Sequence, residues 1–166
     1  MSDTKKQDLF ASVENDLIRQ GFEIDSQDRT RPWGGFFVID ENQAQQFSNT
    51  FFDGISVQEL KISGKLSPKI LVVEPSKRLS WQYHHRRAEI WQVVQGTVGV
   101  ITSDSDEEGK MHTLRVGDEI KLECGARHRL VGLEDWGVVA EIWQHTDPEN
   151  PSDEEDIVRI QDDFGR

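Results

Sequence analysis

Residues 57–145 carry short runs of branched and aromatic residues that alternate with polar ones. The runs cover 57–62, 69–73, 78–84, 89–95, 97–102, 111–115, 119–123, 128–133 and 138–145. Glycines or charged turns separate them, including Gly96, Gly117-Asp118, Gly125 and Gly132. Many short strands at close, even spacing predict a sandwich or barrel, not alternating strands and helices. Ahead of this region the pattern is different. In residues 8–20, Leu9, Phe10, Val13, Leu17 and Ile18 share one helical face, and Gly21 stands where a helix would stop. Residues 31–35 break the chain, and 36–39 form a short strand candidate. Residues 40–56 read as an irregular loop over the barrel mouth. The tail from 147 reads as a loop followed by a short strand or turn at 157–160.

Composition narrows the class. A length of 166 residues suggests one domain with a real core. The single cysteine, Cys124, cannot form an internal disulfide, so stability must come from packing or a metal, and a reducing, cytoplasmic setting follows. The polar start is not a signal peptide, and no apolar run is long enough to span a membrane. A net charge of −12 argues against nucleic acid and anionic membranes as partners. Basic residues nevertheless gather at Lys61, Lys65, Lys69, Lys77, Arg78, Arg86 and Arg87, with Glu74 the one acid among them.

That basic stretch surrounds the candidate chemistry. Alternate residues of a strand share a face, so Gln82 and His84 point the same way. A turn through 85–88 returns Glu89 on the neighbouring strand, and Gly125-Ala126-Arg127-His128 brings a second imidazole to the start of a later strand. Gln82, His84, Glu89 and His128 make a mixed nitrogen and oxygen set. Such a set suits one divalent ion, zinc first, with Mn, Fe, Co or Ni open, better than Ca or Mg. Lys69 is a further cation near the mouth. The tryptophans and Cys124 read as packing residues, and His112 and His145 as surface or core.

These residues carry a resemblance. Gln82-x-His84, four residues, Glu89, six residues, Gly96 resembles the first cupin motif, with Gln in place of its first His. Gly117, five residues, Glu123-Cys124-Gly125, two residues, His128 resembles the second. Arg31-Pro32-Trp33-Gly34, Leu79-Ser80, Arg87-Ala88-Glu89-x-Trp91, His128-Arg129-Leu130 and Asp156-Ile157-Val158-Arg159 through Phe164-Gly165-Arg166 narrow it to the isomerase domain of type II phosphomannose isomerases. The resemblance implies an all-β chain: a single cupin-type β-barrel (jelly roll) over 31–166, with an N-terminal amphipathic helix in a 1–30 extension. It implies a metal-dependent aldose–ketose isomerase interconverting mannose 6-phosphate and fructose 6-phosphate. Arg87, Arg159 and Arg166 would grip the phosphate. Arg87, His85 and Lys69 stand as catalytic candidates, with the base open between His85 and Glu89. A homodimer with a small sugar phosphate as its ligand is expected. Arg86, Ile90 and Glu123 depart from the family's residues. Two other readings remain: a non-catalytic sugar-binding or regulatory cupin, and another cupin enzyme such as an epimerase or oxygenase.

Overall fold

In the computed structural model of the chain, residues 2–62 and 64–165 are described. Their strands are β1 (Ile24–Arg31), β2 (Gly34–Ile39), β3 (Lys69–Val73), β4 (Trp81–Tyr83), β5 (Arg87–Gln95), β6 (Thr97–Ser103), β7 (Met111–Arg115), β8 (Glu119–Leu122), β9 (Arg127–Gly132), β10 (Gly137–His145) and β11 (Val158–Gln161). They form two antiparallel sheets, ordered β1-β2-β3-β10-β5-β8 and β11-β4-β9-β6-β7. Three helices accompany them: α1 (Ser2–Arg19), α2 (Ala44–Phe51) and α3 (Val57–Leu60).

The helices lie on the outer face of the larger sheet and the smaller sheet covers its inner face. The side-chain alternation of each strand sorts residues between two cores. Ile70 and Val72 of β3, Ile90 of β5, and Val138, Ala140 and Ile142 of β10 join Phe10, Val13, Leu17 and Phe47 in the outer core. Leu71 and Val73, Trp91 and Val93, and Val139 instead meet Val98, Val100 and Leu130 of the opposing sheet. Both faces of β3 and β10 are therefore buried, which is why they read as near-continuous apolar runs. The same parity puts Lys69, Arg87, Glu89, Glu141 and Trp143 on the inner face, among the apolar layer between the sheets.

Several expectations are corrected. Residues 57–62 form no strand; Ser56 caps a single helical turn by accepting from the Gln58 backbone N–H at 3.2 Å, and Leu60 alone is buried. Residues 40–56 are not a loop over the mouth. They contain a short 3-10 turn, Glu41–Gln43, and α2, which buries Ala44, Phe47, Ser48 and Phe51 on one face in the outer core. The strand expected over 78–84 is only Trp81–Tyr83. β1 was not anticipated, because its sequence, Ile-Asp-Ser-Gln-Asp-Arg-Thr-Arg, is that of an exposed edge strand with little apolar alternation.

Two glycines do specific work. Gly21, at φ +89°, ends α1: its N–H bonds Ile18 and the Phe22 N–H bonds Leu17, both at 3.0 Å, satisfying the last carbonyls. Gly96, at φ +76°, links β5 to β6, and a Cβ there would sit 2.4 Å from the Trp136 carbonyl oxygen.

Candidate metal centre

The cluster begins with strand pairing. Gln82 of β4 lies opposite His128 of β9, and β5 brings Glu89 across from Leu122 of β8. His84 follows β4 directly. His84, Glu89 and His128 are each 2% exposed, and one donor atom from each lies within 4.8 Å of the others.

Hydrogen bonds fix which nitrogen of each ring faces inward. His84 Nδ1 lies 2.7 Å from the Asp156 carbonyl oxygen and His128 Nδ1 lies 3.0 Å from that of Ala126. A carbonyl only accepts, so both Nδ1 atoms carry a proton and both rings turn Nε2 towards the cluster. His84 Nε2 is 3.3 Å from Glu89 Oε2, and His128 Nε2 is 3.3 Å from Glu89 Oε1. Despite that distance, Glu89 Oε1 and His128 Nε2 make no hydrogen bond, although both are buried. Burial lowers the His84 pKa to about 4, so the ring is neutral near pH 7. Burial works to raise Glu89, but His84, the Arg87 guanidinium and His128 hold it well below its ordinary value. Two imidazoles that turn Nε2 inward and a carboxylate, with Glu89 Oε1 and His128 Nε2 left without a hydrogen-bond partner, are the donor set a divalent cation needs.

Gln82 stands beside this set with its amide turned outward. Its Oε1 accepts from Ser80 Oγ at 2.5 Å, and its Nε2 faces His84 Nε2 at 3.5 Å. Turning the amide by 180° puts the oxygen in the cluster, and leaves Ser80 Oγ to accept from Nε2.

A pocket of about 120 Å³ opens against the cluster, lined by Lys69, Arg87, Glu141, Trp143, Glu154 and Arg159 among others. Arg87 is 5% exposed and fully engaged. Its Nε donates to Glu89 Oε2 at 2.8 Å, its Nη1 to Ser152 Oγ and the Asp153 carbonyl at 2.9 Å each, and its guanidinium lies 3.6 Å from the Trp143 ring centroid. Lys69 Nζ sits 4.5 Å from the same ring and pairs with Glu154 at 2.5 Å. Arg159 is exposed at the rim, opposite Gln82 in register. His85 is exposed, packs edge-on to Tyr83 and does not line the pocket. The inward turn of His84 sends its neighbour outward, away from the pocket. Arg166 lies outside the described residues. Cys124 is exposed instead of packed.

Two residues were missed. Glu141, in β10, accepts the indole N–H of Trp91 at 2.7 Å and of Trp143 at 2.8 Å. Burial and then the Glu89 charge push its pKa up to about 7, against the opposing pull of Lys69 and Arg87. A lone acid in the apolar run Val-Val-Ala-Glu-Ile-Trp was the available signal. Asp156 fastens the 85–87 turn. Its carboxylate accepts the backbone N–H groups of His85 and Arg86 at 2.9 and 3.0 Å and the Ser152 hydroxyl at 2.6 Å. His145 is buried, one of its two expected settings. Its Nδ1 accepts from the Ser152 N–H at 3.0 Å, so Nε2 donates to Ser67 Oγ at 2.9 Å and cannot act as a base on it.

Two sheets packed around this inward-facing His-Glu-His cluster define a cupin. More narrowly, the chain belongs to the family described as "Mannose-6-phosphate isomerase C-terminal", which matches residues 44–162. Curated relatives include the mannose-1-phosphate guanylyltransferase ManC of Salmonella typhimurium and the mannose-1-phosphate guanylyltransferase of Escherichia coli. Each is 29% identical over 136 residues, covering 82% of this chain and 22% of the relative. The alginate biosynthesis protein AlgA of Pseudomonas aeruginosa is 28% identical with the same coverage. The chain thus spans about a fifth of the length of the relatives it matches. Among solved structures, oxalate decarboxylase from Bacillus subtilis shares the fold, with a TM-score of 0.56 at 16% identity, covering 81% of this chain and 30% of that one. CapF from Staphylococcus aureus does so at 0.52 and 14%, covering 84% and 34%. The relatives' names belong to enzymes of carbohydrate metabolism, and they correct one expectation. They name guanylyl transfer to mannose 1-phosphate, not the interconversion of mannose 6-phosphate and fructose 6-phosphate. No helix among the described residues is long and apolar enough to cross a membrane.

Proposed function

We propose that this chain is a metal-holding cupin domain that binds a phosphorylated sugar of the mannose class. The observation that carries the reading is the pair of buried, unpaired atoms, Glu89 Oε1 and His128 Nε2, facing each other beside a neutral His84. His84, Glu89, His128 and, with its amide turned, Gln82 would hold one divalent ion, zinc first. When bound, such an ion polarises and orients sugar oxygens. Arg87 positions Glu89 and closes the cluster from one side, while Trp143 supplies an apolar wall. Lys69 and Arg159 give the pocket the cations that a phosphate requires. The mannose class comes from the relatives' names, which concern mannose 1-phosphate. In this reading the domain is a ligand-recognising part of mannose-phosphate chemistry.

Calorimetric titration tests it. Metal-loaded protein is expected to bind mannose 1-phosphate or mannose 6-phosphate at least ten times more tightly than protein treated with a chelator. Equal affinity with and without metal, or binding of neither sugar phosphate, contradicts the reading.

A further inference from the structure

The ion pair between Lys69 and Glu154 is unbalanced. Lys69 has 7% of its side chain exposed and Glu154 has 64%. The ammonium is set between the rings of Phe36 and Trp143, at 4.9 and 4.5 Å from their centroids, and Arg87 occupies the same Trp143 ring at 3.6 Å. A nearly buried cation beside a second cation needs an anion. Glu141 lies deeper and gives its two oxygens to indole N–H groups. The anion in contact with Lys69 is instead the carboxylate of Glu154, which reaches in from the solvent side. The segment that carries it is pinned on either side. The Asp153 carbonyl and Ser152 hold Arg87, and Asp156 holds the 85–87 turn. Glu154 is the exposed member of the pair, and both residues line the pocket.

We propose that Lys69 is the anion subsite of the pocket, and that Glu154 fills it with the protein's own carboxylate until a phosphate group replaces it. This rests on the sugar-phosphate reading and adds to it the subsite and its internal competitor. A phosphate offers more charge and more acceptor oxygens than a carboxylate, and an exposed carboxylate is held weakly. Glu154 therefore sets a threshold: weakly charged ligands leave it in place, and dianions displace it.

The test uses metal-loaded full chain and calorimetric titration with inorganic phosphate, mannose 6-phosphate and free mannose. Glu154→Gln is expected to bind the two phosphates at least five-fold more tightly than wild type and mannose no better. Glu155→Gln makes the same change in net charge at the neighbouring exposed position and is expected to bind as wild type does. Adding Lys69→Met to Glu154→Gln is expected to erase the gain. Equal or weaker phosphate binding by Glu154→Gln overturns the proposal while wild-type binding leaves the sugar-phosphate reading intact. An equal gain in Glu155→Gln, or a gain that survives Lys69→Met, also overturns it. Failure of wild type and Glu154→Gln alike to bind either phosphate overturns both.

Discussion

Glu141 illustrates how position changes a side chain's chemistry. Its place in β10 sends it inward, where burial and the nearby Glu89 charge raise its pKa to about 7. In the unfolded chain it would titrate near its ordinary value, so folding favours its protonated form. This contribution to stability is fully present below the unfolded pKa and is lost as pH rises through about 7. The Gln side chain mimics the protonated carboxyl. Metal-free wild type is thus expected to lose more urea resistance between pH 5 and pH 8 than Glu141→Gln does. Parallel pH profiles for the two proteins would contradict the assignment. His145 moves the other way: burial lowers it to about 4, so its contribution grows with pH. Comparing wild type with the single variant cancels that term. The sequence pattern set Gln82 and His84 on one face because an extended chain alternates with a period of two, and the structure brings His84, Glu89 and His128 together. The pattern gave no sign that Glu141 would meet two indoles, because those contacts cross between strands.

At the level of elements, the centre depends on a clasp between distant segments. The segment preceding β11 supplies Asp156, whose carbonyl orients His84 and whose carboxylate ties down the backbone of His85 and Arg86. Partners of this kind, one step behind the ligands, typically contribute 10–100-fold to metal affinity. Asp156→Ala is expected to weaken zinc binding by about that factor, read by competition with a chromophoric chelator. Unchanged affinity would reduce Asp156 to a turn residue. The motif-like ending of the chain hinted at this role, but nothing in local spacing says that residue 156 meets residue 84. The same limit explains β1 and α3. An edge strand needs little apolar alternation, and a four-residue turn is decided by its cap more than by its pattern. α2 was legible in principle, since Ala44, Phe47, Ser48 and Phe51 follow helical spacing. Its polar glutamines and asparagine disguised it as loop.

For the whole molecule, the strand runs correctly implied an all-β architecture with an N-terminal helix. What they could not provide was the layering. The larger sheet has helices outside and a second sheet inside, so its central strands carry two cores and, at the inner face, a polar site. Such a cluster is costly to bury without a partner for its charges. A bound ion would contribute folding stability directly, about 2.7 kcal/mol when free metal is at one hundred times its dissociation constant. Metal binding is therefore the central claim. Elemental analysis of purified wild type, His84→Ala and His128→Ala after dialysis tests it most directly. One divalent ion per wild-type chain and its loss from both variants is the predicted result; variants that keep the wild-type metal content, or a wild type that takes up none when zinc is supplied, would contradict it.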